Sequence, residues 1–393
     1  MERKALLLTG SFGLGHEMLT RACGELLVQS SWQVRTLDSV KLLGPRKGPL
    51  AEKAFARLVK VPGVYDGLHF AHLRTGSKLA ELMDRASRAS LEPALRAELD
   101  REPADLIWSV FSTGASAAAK VSFSDPFCRS VVLCTDVAVH RLWVSPGTDL
   151  FMVTSRAAAA SVRRYSPRAE VAIVHPPVRD EFYAAPSQTA ARATLRIPED
   201  APCVLMIDSG WGFAPFVESA GMLARAGVTV ICVAGRNEDL ARRLRMLATE
   251  APSIIPFGFT SEVPTLMAAS DLVVTLPGAT TCSEARVVGR PLLLLDVMPG
   301  HGRDNLFHEL EQGDANVCCS TPAGITKSVR ALLESVSHPM SINPSPPRWQ
   351  PTVVDALTRI GVDLRVREPV ATSPSVNGHH ANGTRPVLNR APT

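Results

Sequence analysis

No stretch of this sequence runs for about 18 uninterrupted apolar residues, the length a membrane-spanning helix requires, although 46% of its 393 residues are of hydrophobic type. The opening "MERKALLLTG" begins basic, but its apolar run meets Gly10 too soon for a signal-peptide core, so a cytoplasmic chain is expected. None of the eight cysteines forms a C-x-x-C pair, and their scatter suggests neither a disulfide framework nor a zinc site. Buried free thiols are the expectation. Strong net charge is also missing: the formal balance is +4. With no aromatic stacking pattern beside the basic residues, nucleic-acid binding is not expected.

What charge there is sits unevenly. Residues 41–90 hold ten Lys/Arg against four Asp/Glu, a local +6 that exceeds the excess of the whole chain. Length alone exceeds one typical core and predicts two domains. "KALLLTG", a glycine turn, a helix from about His16 to Ser30, and "WQVRTLDSV" form the opening of a strand–helix–strand unit. "ADLIWSV", "SVVLCTD", "DLFMVTS" and "EVAIVHPPV" then read as strands buried on both faces, as in a parallel sheet. Near residue 200 the layout restarts with "PCVLMIDSGWGFAPFVESAGMLARAG", followed by "VTVICVAGRN", "SIIPFGF", "LVVTLPG" and "RPLLLLDV". The expected class is α/β with two Rossmann-like halves. The predicted divisions are 1–180 and 181–340, a proline-rich linker and returning helix over 341–366, and a disordered tail over 367–393.

Three stretches carry chemistry. In "LLLTGSFGLGHEML" (residues 6–19), Gly10 and Gly15 have Walker A spacing, but His16 and Glu17 stand where Lys and Ser/Thr would follow. A histidine at a helix start faces the positive end of the dipole, which lowers its pKa and keeps it neutral. His16 is thereby suited to take a proton as a general base, or equally to serve as a capping or packing residue. "DSGWGFAP" offers Ser209, Gly210 and Gly212 at a strand-to-helix turn whose amides can cradle phosphate. In "LPGATTCSEARVVGRPLLLLDVMPGHGRDN" (276–305), Gly278, Thr280, Thr281 and Ser283 lead a helix suited to a diphosphate. Glu284 is expected in that helix's first turn, as an acceptor for a ribose diol or as a complement to the dipole.

"ASDLVVTLPGATTCSEARVVGRPLLLLDVMPGHGRDN" resembles the donor-site signature of glycosyltransferase family 28. The branch of monogalactosyldiacylglycerol synthases and processive diacylglycerol glucosyltransferases fits best. "GSFGLGHEML" resembles that branch's Gly-x-Gly-His loop, carried here by Gly13, Gly15 and His16, and "CTDVAVHRLWVSPGTDLFMVTS" its Thr-Asp block. "GWG", "VAGRN" and "FGF" fall between them in family order, so the likeness covers roughly residues 4–335. It implies a GT-B fold, two Rossmann-like domains facing across a cleft, with sugar nucleotide on the C-terminal half and acceptor on the N-terminal half.

By the same resemblance His16 is the proposed catalytic base and Asp136 a second cleft residue. Glu284 would hold the ribose, Thr280, Thr281 and Ser283 would lie near the diphosphate, Phe259 by the base, and His301 and Asn305 on the donor side. The chain departs from the family at Ala279, where a second glycine is usual, and at Asp208-Ser209, where Gly-Gly is usual. It departs again at Pro299-Gly300-His301-Gly302, where the family runs Pro-Gly-Gln-Glu and reads the sugar.

The implied reaction moves a hexose from a UDP-sugar to a lipid such as diacylglycerol, with inversion. With no Asp-x-Asp motif in the sequence, no metal and no cofactor beyond the sugar nucleotide are expected. "VKLLGPRKGPLAEKAFARLVKVPGVYDGLHFAHLR" (40–74), with Phe55, Tyr65 and Phe70 among basic residues, is expected to rest on anionic lipid at the inner face of the plasma membrane. An ordinary solvated, Arg-rich helix pair would look the same. A soluble natural-product acceptor, a sugar-nucleotide epimerase and a non-catalytic sugar-nucleotide binder are the other readings.

Overall fold

The computed structural model describes residues 2–10, 14–58, 61, 63–74, 76–208, 214–297, 300–336 and 346–364. Gly13, Ser209, Gly210 and Gly212 lie outside the described residues, as does the 367–393 tail.

The first half runs β1 (Lys4–Thr9), α1 (Leu14–Gln29), β2 (Gln33–Asp38), α2 (Lys47–Leu58), α3 (Val64–Leu73), α4 (Lys78–Arg101), β3 (Leu106–Ser109), α5 (Ser112–Ser122), β4 (Arg129–Leu133), β5 (Leu150–Val153), α6 (Arg156–Tyr165) and β6 (Val171–Ile173). The short α7 (Asp180–Tyr183) and α8 (Gln188–Leu195) lead into the second half. There β7 (Cys203–Ile207), α9 (Phe216–Arg225), β8 (Thr229–Val233), α10 (Glu238–Glu250), β9 (Ile254–Phe257), α11 (Val263–Ala269) and β10 (Leu272–Thr275) are followed by α12 (Ala279–Val288), β11 (Leu292–Leu295), α13 (His301–Glu311), β12 (Ala315–Cys318) and α14 (Pro322–Val336). Finally α15 (Gln350–Thr358) returns to the first half, where Trp349 donates its indole N–H to the Val178 carbonyl at 2.7 Å.

Each half is a six-stranded parallel sheet, ordered β2-β1-β3-β4-β5-β6 and β12-β11-β10-β7-β8-β9. Register is continuous through the first sheet's centre: Ala5 faces Val34 on one side and Leu106 on the other. Central strands covered by helices on both faces have no solvent side, which is why they read as unbroken apolar runs. Leu6, Leu7 and Leu8 are all buried, each contributing about 1.5–3 kcal/mol over an exposed position. The edge strand β2, in contrast, mixes polar and apolar residues and has none that is buried. Strand order reverses between β1 and β3 in one sheet and between β7 and β10 in the other. Ligand crevices form at such switch points, beyond the carboxyl ends of the strands. Two such sheets match the expected GT-B architecture, and α1 of the first half meets α12 of the second.

All eight cysteines are free thiols; seven are buried, while Cys319 departs from the expectation and is exposed. Among the described residues no helix is long and apolar enough to cross a membrane.

Candidate active site

The residues singled out in the sequence follow the carboxyl ends of parallel strands: His16 after β1, Asp136 after β4, Phe259 after β9, Gly278 to Glu284 after β10, and His301 after β11. The described candidates therefore converge on the two crevices.

His16 lies in the first turn of α1, half-buried, its ring 4.8 Å edge-on from Phe111. Its Nδ1 is 3.0 Å from the Val110 carbonyl oxygen. A carbonyl only accepts, so Nδ1 carries the proton and Nε2 keeps its lone pair. Burial pushes the imidazole pKa down, outweighing Asp136 and the Val110 hydrogen bond, which both pull it up. The imidazole pKa is lowered as expected, but its first cause is burial and not the helix dipole. Gly10 makes room for this arrangement: a Cβ there would lie 2.1 Å from the Phe111 ring.

Asp136 is braced by the Trp143 indole N–H at 2.7 Å and by His140 Nε2 at 3.4 Å. Burial opposes its ionisation, yet His140, the charge of His301 and the Trp143 hydrogen bond together hold its carboxyl well below the usual range. One fixed negative charge thus sits among several imidazoles in a buried setting.

Across the cleft, the N-terminus of α12 meets that of α1. Thr280 Oγ1 is 3.4 Å from the Gly15 carbonyl, and Gly15 has no side chain to block the approach. Two helix N-termini facing one space present free amides and positive dipole ends to an anion. Thr281 is half-buried and Ser283 buried on the same helix.

Glu284 is the sixth residue of α12, which corrects the first-turn placement expected from the sequence. It is buried and accepts a hydrogen bond from Arg179 Nη2 at 2.9 Å. Burial raises its pKa to about 7 against the opposing pull of Arg179. The Arg179 guanidinium in turn lies 4.7 Å over the Phe182 ring. This partner is not foreseen in the sequence, and nothing local to "VRDEFY" could announce it, since Arg179 is 105 residues from Glu284.

A second unforeseen link joins the halves further out. Arg236 donates two hydrogen bonds, at 2.9 and 2.8 Å, to the Glu17 carboxylate and lies 5.1 Å over the ring of exposed Phe259.

The segment expected to face lipid proves two-sided. Tyr65 is buried rather than on the surface, its hydroxyl 2.6 Å from His301 Nδ1. Phe55 packs edge-on against it at 5.8 Å. His69, also buried, reaches Asp304 Oδ2 at 2.8 Å, and Asp66 accepts from the Gly300 amide at 2.7 Å. Leu50, Val61, Val64, Phe70, Leu79 and Leu82 point outward. Among the described residues, no group of three or more His, Cys, Asp or Glu is placed to hold a metal ion.

Residues 215–309 match the glycosyltransferase family 28 C-terminal domain. The chain is 24% identical over 356 residues to a processive diacylglycerol beta-glucosyltransferase of Staphylococcus saprophyticus, spanning 87% of this chain and 88% of that one. Among solved structures, a UDP-GlcNAc 2-epimerase from Neisseria meningitidis bound to UDP-GlcNAc superposes with a TM-score of 0.57 at 12% identity, over 91% of this chain and 100% of that one. Arabidopsis thaliana UGT89C1, complexed with UDP-L-rhamnose, does so at 0.56 and 13%, over 92% and 94%. At these identities the structural likeness establishes the fold.

Proposed function

We propose that this chain, a GT-B glycosyltransferase carrying a family 28 C-terminal domain, transfers a hexose from a UDP-sugar to the hydroxyl of a diacylglycerol-like lipid with inversion. The observation that carries the reading is the pairing of a neutral, tautomer-fixed His16 with the α12 N-terminus across the Gly15–Thr280 contact. A base on one wall and an anion cradle on the other leave the sugar between them.

In the reaction His16 Nε2 takes the proton of the acceptor hydroxyl as its oxygen forms a bond to the anomeric carbon. The bond from that carbon to the diphosphate oxygen breaks on the opposite face, so a single displacement inverts the centre. Charge gathering on the leaving UDP meets the amides and hydroxyls from Gly278 to Ser283, fixed before the reaction begins. Asp136 stabilises the imidazolium that forms on His16, since its negative charge does more than the Val110 hydrogen bond to raise that pKa. Glu284, aligned by Arg179, accepts from the ribose diol, and Phe259 lies beside the base. Neither metal nor cofactor enters this scheme, in keeping with the missing Asp-x-Asp motif.

A lipid acceptor is supported by the activity for which the staphylococcal relative is named and by the outward apolar residues of α2, α3 and α4 set among the basic excess of 41–90. Each basic residue near an anionic surface contributes about 1 kcal/mol to peripheral membrane contact. The test is incubation with liposomes of diacylglycerol and anionic lipid and a panel of radiolabelled UDP-hexoses, followed by extraction. Label in the lipid phase is expected. Label appearing only on soluble hydroxylated acceptors would overturn the lipid assignment, and binding without turnover on any acceptor would overturn the transferase chemistry.

A further inference from the structure

We propose that α3, through Tyr65, Asp66 and His69, positions the first turn of α13, so that the pocket for the transferred hexose is completed from the acceptor half and Tyr65, acting through His301, sets which hexose is accepted. The proposal rests on reading the cleft as a sugar-nucleotide site.

The hexose must lie between His16 and the α12 N-terminus, since its anomeric carbon joins the attacking hydroxyl to the departing phosphate. His301 opens α13 after β11, the strand paired with β10 that leads into α12, and its ring lies 5.7 Å from that of Tyr65 and 6.2 Å from that of His69. Asn305 follows one turn later on the same helix face. It is buried, and its side-chain oxygen has no hydrogen-bond partner among the described residues. A buried acceptor without a donor is unfavourable, so it calls for one, and a sugar hydroxyl would supply it.

Besides its own half, where Arg303 pairs with Asp296 at 3.7 Å, the α13 turn is held by residues more than 230 positions away. Gly300, at φ +61°, has an amide that Asp66 receives, and a Cβ there would lie 2.7 Å from the Tyr65 ring. His69 pairs with Asp304 at the end of the same turn. Between them Tyr65 touches His301. Burial holds the Tyr65 phenol pKa up, which keeps it neutral, and its O–H is the proposed donor to His301. Donation to Nδ1 leaves the His301 proton on Nε2, fixing both the tautomer and the ring plane. His301 then offers the sugar one donor at one orientation, and two epimeric hexoses place different hydroxyls there.

The test is calorimetric binding of UDP, UDP-glucose and UDP-galactose to the full chain as wild type, Tyr65→Phe, His301→Gln and the double variant. Tyr65→Phe is expected to leave UDP affinity within about twofold while changing the UDP-glucose to UDP-galactose affinity ratio about fivefold, the worth of one hydrogen bond. Added to His301→Gln it should change nothing further. Asp66→Asn, with its fold checked by melting, should shift both UDP-hexoses and spare UDP. An unchanged epimer ratio, an equal loss for UDP itself, or independent effects in the double variant would overturn the proposal. Because no acceptor is needed, failure of lipid transfer would leave this measurement standing, and the reverse also holds.

Discussion

Replacing Arg179 by Met removes, among the described residues, the one cation hydrogen-bonded to buried Glu284, and the cost should depend on pH in a way that can be worked out beforehand. In the wild type the folded carboxyl has a pKa of about 7, raised first by burial, against about 4.3 when unfolded. Between these values the folded chain holds a proton that the unfolded chain has released. Stability therefore falls by about 1.4 kcal/mol per pH unit from pH ~4.3 to ~7 and levels off above, where both states are ionised. Without Arg179, burial acts unopposed and Glu181 adds further upward pressure. The fall then continues past pH 7, so Arg179→Met should diverge from wild type by about 1.4 kcal/mol per unit above neutrality, near 3 kcal/mol by pH 9. Urea unfolding at pH 6, 7, 8 and 9 reads this directly, and Arg179→Met/Glu284→Gln should abolish the divergence. Parallel pH profiles for wild type and the single variant would refute the reasoning.

Two further outcomes follow from the cleft. Gly10→Ala forces a methyl into the Phe111 ring, costing about 1–3 kcal/mol by overpacking and displacing the wall beside His16; a melt should show the first and a lowered transfer rate the second, whereas wild-type behaviour in both would contradict the packing described. His16 and His301 both have pKa values lowered by burial. The unfolded chain thus takes up protons first, and stability from this source should drop as pH falls below about 6.5. A His301→Gln variant should lose stability less steeply over that range in acid-titrated melts, and an unaltered slope would contradict it.

The strands are legible because both-face burial writes itself as a continuous apolar run; β12, "ANVC", is not, being four residues long at a sheet edge and only partly buried. His16 and Thr280 can be named because helix N-termini after parallel strands are where anions and bases are used. Glu284 falls a turn deeper than the sequence suggests because its helix starts as early as Ala279, directly after Gly278. The partners Arg179, Arg236 and Tyr65 leave no local trace. Each acts across at least 100 sequence positions, and Tyr65 sits in a segment whose composition suits a surface as well as a cleft wall. Amphipathic spacing tells that two faces differ but not which partner each will meet.

The most direct measurement compares sugar transfer and UDP binding in wild type and His16→Ala, side by side. If His16 is the base, the turnover rate should fall by about 10²–10⁴-fold while UDP affinity stays unchanged, since the nucleotide is proposed to be held by the opposite wall. A His16→Ala protein that transfers within about tenfold of wild type, or that loses UDP binding along with turnover, would contradict that assignment.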